Sequence, residues 1–110
     1  MANTFTRKLS QNVGTTATAI NSYTVAANTT VVVVGLTVTN KTGSSITANV
    51  FINDGSANTF ISSNAPISSG SSLVAVGGDQ KLVLITGDKV FVQSSAASSI
   101  DAVLSILEIT

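Results

Sequence analysis

The end of the chain, Ile100 to Ile109, reads IDAVLSILEI, and residues 31–39 read VVVVGLTVT. In the first run Ile100, Ala102, Leu104 and Ile106 alternate with Asp101, Val103, Ser105, Leu107 and Ile109, which is the two-residue period of a strand. Valine, isoleucine and threonine are stiff about χ1 and suit the pleated, half-buried surface of a sheet. Helix signals are nearly absent elsewhere in the 110 residues. A chain with this pattern has to close its core by packing sheet on sheet.

Turn formers divide the rest into short apolar runs. Residues 40–44, 53–56, 77–79 and 86–88 are rich in Asn, Asp, Gly and Ser, each of which favours a bend for its own backbone reason. The segments between them predict strands at 5–9, 22–25, 31–39, 46–52, 58–62, 72–76, 81–85, 89–94 and 99–109. Ile46, Ala48, Val50 and Ile52 alternate with polar neighbours and Phe51, and this run is expected to pair with 31–39 as a hairpin. Pro66, the single proline, is expected in a loop, because it cannot donate to a sheet ladder. The reading is an all-β fold: an antiparallel β-sandwich, jelly-roll-like, of about eight strands. It forms one domain over residues 1–110, with 1–10 as a candidate N-terminal arm.

Composition narrows the function. Charged residues are only 9% of the chain against 44% hydrophobic, where an average soluble protein carries about 25% charged residues. Low charge weakens the repulsion that keeps monomers apart and suits a subunit buried in an assembly. Five basic and five acidic residues cancel, and among the basic ones only Arg7 and Lys8 are adjacent. Nucleic acid is therefore not an expected partner, since binding it needs clustered cations. The first residues, MANTFTRKLSQNVG, lack the apolar stretch of a signal peptide. No segment approaches the roughly 20 apolar residues of a membrane helix. The expectation is a chain made in a cytoplasm without a membrane partner.

A strand with one face on the core and one in water should alternate cleanly. Val31–Val34 and the end of the terminal run do not. Large exposed apolar patches mark association sites, so the expected subunit or shell interface comprises Val31, Val33, Val103, Leu107 and Ile109. Cover from a loop or the N-terminal arm is the alternative. The arm, with Phe5, Arg7 and Leu9, is expected to add a strand to a neighbour's exposed edge.

Catalytic chemistry has little to work with. There is no histidine, cysteine or tryptophan, which excludes Ser-His-Asp and Cys-His devices as well as disulfides and thiolate metal sites. The carboxylates are Asp54, Asp79, Asp88, Asp101 and Glu108. The first three sit in glycine-containing turns, where Asp commonly bonds nearby backbone. Residues 53–58 carry oxygen ligands around a glycine but lack the spaced carboxylates and closing Glu of an EF-hand; a simple loop is the expectation, with a weak calcium site shared at an interface as the alternative. Residues 86–92 are similar to the GD turn of cupin-type jelly rolls. The cupin metal site depends on histidines, so that likeness speaks only to fold. No enzyme activity, cofactor or metal is expected.

Three segments, MANTFTRKL, VGGDQKLVL and TGDKVFVQSSAASSIDAVLSILEI, resemble small virion structural proteins of tailed bacteriophages, those of marine cyanophage-type viruses above all. The likeness spans almost the whole chain and consists of turn-and-strand patterns, with no catalytic residues to carry over. It implies a β-sandwich built into a particle in many copies, as a capsid decoration or cement subunit or a tail-associated component. Its location would be the virion, and its partners other copies of itself and virion proteins such as the major capsid or tail proteins. The competing reading is a host-receptor or carbohydrate-binding module of a phage tail, for which Phe5, Tyr23 and Phe51 are the candidate exposed aromatics.

Overall fold

The computed structural model describes residues 2–77 and 81–110. Among them lie nine strands: β1 (Asn3–Val13), β2 (Thr18–Ala19), β3 (Thr30–Asn40), β4 (Ile46–Asn53), β5 (Asn58–Ile67), β6 (Ser72–Val76), β7 (Leu82–Leu84), β8 (Lys89–Ser94) and β9 (Ile100–Ile109), with a short 3-10 turn at Ile20–Ser22. All pair antiparallel. The front sheet runs β1-β9-β3-β6 with β7 also on β3, and the back sheet runs β2-β8-β4-β5. β6 takes the second half of β3, Leu36 to Thr39, and β7 takes the first, Val31 to Val33. The two short strands therefore share one edge position in tandem. Counted together they leave eight strands in the order of a jelly roll. The expected antiparallel sandwich is the observed one.

The core lies between the sheets. Val31, Val33, Leu36 and Val38 of β3 and Ile100, Ala102, Leu104 and Ile106 of β9 fill it from the front; Ile46, Ala48, Val50, Val90 and Val92 fill it from the back. Each such valine, leucine or isoleucine contributes about 1.5–3 kcal/mol by leaving water.

Several sequence expectations change here. β3 and β4 are not a hairpin: β3 lies between β9 and β6/β7, while β4 lies between β8 and β5. The five residues between them carry the chain from one sheet to the other, so both strands bury one face on the same core from opposite sides. Residues 22–25 form no strand, because Asn21 and Ser22 at φ 52° and 51° bend the chain out of extension. Pro66 lies within β5, opposite Thr47. β5 is an edge strand, where proline's missing N–H can face outward without loss to the sheet. The candidate arm over 1–10 is not free where it is described, since β1 runs in unbroken register against β9 from Asn3↔Ile109 to Ser10↔Ala102. Asp79 lies outside the described residues.

Candidate interaction surface

The outward positions of the front sheet line up across its strands. Phe5, Leu107, Val32 and Val83 are cross-strand neighbours on β1, β9, β3 and β7. Leu9, Val103, Thr37 and Val74 form a second row on β1, β9, β3 and β6. Between the rows lie Arg7, Ser105 and Gly35, with Val34 bulged out beside them. Ser105 and Gly35 are small, which leaves a depression of about 590 Å³ lined by Phe5, Thr6, Arg7, Val34, Ser105 and Ile106. Phe5 is 75% exposed, Val74 63%, Val83 58% and Val103 42%. Seven of the eight exposed large hydrophobic residues described belong to this sheet or, as Ile85, flank it.

Beyond the second row the face turns polar. Thr39 and Ser72 share a hydroxyl–hydroxyl bond at 3.0 Å. Lys41 reaches Asp101 Oδ1 at 3.2 Å and Asn12 Oδ1 at 2.7 Å, and the Asn12 N–H donates to the same Asp101 oxygen. These exposed ionic contacts contribute little stability, but they mark where the apolar surface stops.

The predicted interface residues divide between two faces. Val103, Leu107 and Ile109 lie on the outer face, and Phe5, Arg7 and Leu9 of β1 sit directly beside them: Phe5 opposite Leu107, Arg7 opposite Ser105, Leu9 opposite Val103. Val31 and Val33 do not belong there. Both are 0% exposed, inside the core; the outward valines of that run are Val32 and Val34. The cause is a bulge in the β3–β9 ladder between Val33 and Gly35. Odd-numbered residues point inward before it and even-numbered ones, Leu36 and Val38, after it. A bulge inserts one unpaired residue and so reverses the alternation. Four consecutive valines carry no phase of their own, so composition could not reveal this; the glycine that follows them is the one local sign.

The described carboxylates are each occupied locally. Asp54 Oδ1 accepts the N–H groups of Ser56 and Ala57, both at 2.9 Å, closing the β4–β5 turn. Those bonds, Ala57's foremost, hold its carboxyl below the usual range. Asp88 Oδ2 accepts the Ile85 N–H at 2.9 Å across the GD turn, and that turn is clamped to Val25 by two backbone bonds. Glu108 accepts a 2.6 Å bond from the Tyr23 hydroxyl, while Lys8 Nζ stands 4.8 Å above the Tyr23 ring. Burial first, and then Glu108, push the Tyr23 phenol well above its ordinary range. Among the described residues no group of three metal-ligating side chains converges.

On the outer face of the back sheet Phe60, Phe51 and Phe91 lie side by side across β5, β4 and β8. Phe51 and Phe91 stack with centroids 5.4 Å apart, and Phe60 tilts against Phe51 at 5.0 Å. Phe51 is thereby 5% exposed. Tyr23 is half-buried and spends its hydroxyl on Glu108. Of the three candidate aromatics for sugar binding, only Phe5 is open, and it belongs to the front-face patch.

No protein-family model matches the chain, and no curated protein matches it. Solved structures do. One, described as Bacillus endospore appendages forming a family of disulfide-linked pili, matches with a TM-score of 0.55 at 16% identity over 100% of this chain and 91% of that one. Another, from the T13 IBDV viral particle, matches with a TM-score of 0.53 at 14% identity, covering 96% of this chain and 35% of that one. The chain thus spans about a third of that viral protein and nearly all of the pilus protein. At such identities the likeness is one of fold, a sandwich shared with subunits of two kinds of assembly.

Proposed function

We propose that the chain is a non-enzymatic structural subunit of a bacteriophage virion, a capsid decoration or cement protein or a tail-associated component, acting through repeated protein–protein contacts. The observation that carries this reading is the pair of apolar rows across the front sheet. A monomer that stays dispersed does not usually leave that much contiguous apolar surface in water. Zero net charge removes the long-range repulsion that would oppose packing copies together. The fold likeness to a pilus subunit and to a viral particle protein supports an assembled role. The pilus proteins are described as disulfide-linked; this sequence has no cysteine, so its own contacts cannot be disulfides. Each is modest, and repetition around a symmetric particle supplies the total strength.

Light scattering across a concentration series tests the reading. The unmodified chain is expected to form a defined oligomer, and Val103→Asp a folded species of lower mass, because a carboxylate then sits in the middle of the patch. A clean monomer of the unmodified chain at high concentration refutes self-assembly through this face.

A further inference from the structure

The free edge of β1 has features of its own. Ala2 and Thr110 exchange both backbone bonds, N–H to O at 3.1 and 2.9 Å. They are therefore a hydrogen-bonded pair, and in an antiparallel ladder such pairs alternate with non-bonded ones. Register is constant from Asn3↔Ile109 to Ser10↔Ala102, so Thr4, Thr6, Lys8 and Ser10 bond β9. Asn3, Phe5, Arg7 and Leu9 turn their N–H and C=O groups to the open side. Among the described residues no hydrogen bond reaches those groups. Their side chains are the ones on the apolar outer face.

The other sheet edges are blunted. β5 carries Pro66, Asn64 at φ 51° and two register irregularities. β2 has two residues, and β6 and β7 are separate strands of five and three. Such features are common protections against strand-to-strand association. Charge on β1 does not do the same work: Lys8 is drawn over the Tyr23 ring, which leaves Arg7 alone at the edge. Among the described strands, a long strand-to-strand contact between copies of this chain therefore has only β1 to use on either side.

We propose that two copies pair β1 with β1, antiparallel about a two-fold axis, joining their front sheets into one continuous sheet with a single apolar face. This deepens the structural-subunit reading and rests on it. The register follows from the side chains. With Thr6 opposite Thr6 of the second copy, Arg7 faces the other Phe5, Asn3 faces the other Leu9, and all four open positions are bonded. Arginine over an aromatic ring and threonine opposite threonine are both favourable cross-strand pairs. Centring the pair on Arg7 would set two guanidinium groups opposite each other, and centring it on Phe5 would leave Leu9 beyond the described strand.

The absence of native cysteine makes cross-linking a direct test. Directly opposite residues of a non-bonded pair lie about 4.5 Å apart at Cα, within disulfide reach. Under mild oxidation Thr6→Cys is expected to give a covalent dimer. Thr4→Cys and Lys8→Cys are each expected to stay uncoupled alone and to couple when mixed. Coupling at Phe5→Cys or Arg7→Cys in place of Thr6→Cys overturns the register. If no β1 position couples while the unmodified chain still forms an oligomer that Val83→Asp dissociates, the edge contact is wrong and the front-face assembly stands. A monomer that never couples removes both.

Discussion

Asn40, at the end of β3, has no exposed surface and uses its whole amide. Nδ2 donates to the Ser44 and Ile67 carbonyls at 2.9 and 3.0 Å, while Oδ1 accepts the Thr42 N–H and hydroxyl at 2.9 and 2.7 Å. One side chain thereby ties the front sheet to the crossover loop and to the end of β5 in the back sheet. Asn40→Ala deletes all four bonds. The Ile67 carbonyl is buried and finds no replacement, a loss of about 1–3 kcal/mol; the Thr42 and Ser44 groups lie nearer the surface and regain water, so each costs less than about 1 kcal/mol. The sum is about 3 kcal/mol. At about 4 °C per kcal/mol for a domain of this size, Tm falls by roughly 12 °C. Circular dichroism melts at one fixed protein concentration measure this, since association itself shifts Tm. Asn40→Asp is expected to fall further, because it keeps the acceptor and sets a carboxylate against two carbonyls. A drop below about 4 °C for the alanine variant, roughly 1 kcal/mol, would refute the idea that this amide holds the crossover.

The phase reversal in β3 predicts opposite outcomes for neighbouring valines: Val33→Ala should cost about 2–3 kcal/mol in urea unfolding by leaving a core cavity, and Val34→Ala less than about 0.5 kcal/mol. Equal costs would mean the bulge is misplaced. The Tyr23 phenol, raised by burial and by Glu108, should stay protonated in an ultraviolet titration where an ordinary tyrosine ionises, near pH 10. Its folded value is the higher one, so the stability it contributes is complete below the ordinary tyrosine value and is lost as pH rises through the folded one. Asp54 titrates the other way. Its carboxyl is lowered by the Ala57 and Ser56 N–H groups, so its contribution is present above the ordinary carboxylate value and lost as pH falls through the lowered one. Carbon-detected NMR should place its midpoint below that of a free aspartate, and an unshifted midpoint would mean the turn bonds are not formed in solution.

Much of the fold was legible because strands announce themselves locally. The alternation of Ile100–Ile106, the Lys89–Ser94 run and the turns at Asp54 and Asp88 depend on side-chain period and on bonds within a few residues, and the structure keeps them all. The division of Val31–Val34 between core and surface was not legible, because a bulge is a property of the ladder and β9 supplies the other half of it. The partnering of β3 and β4 was missed for a related reason. Apolar alternation shows that a strand has an inner face but not which sheet that face belongs to, and the crossover is set by Asn40 bonding to Ile67, 27 residues away.

The surface divides in the same way. Sequence alone determined that this chain is an all-β sandwich built without histidine or cysteine, carrying more apolar surface than one core can use. Only the tertiary structure decided where the excess goes. Residues far apart in the chain, Phe5, Val32, Val83 and Leu107, become neighbours through strand register, and register is fixed by the core that the opposite faces of the same strands have to fill.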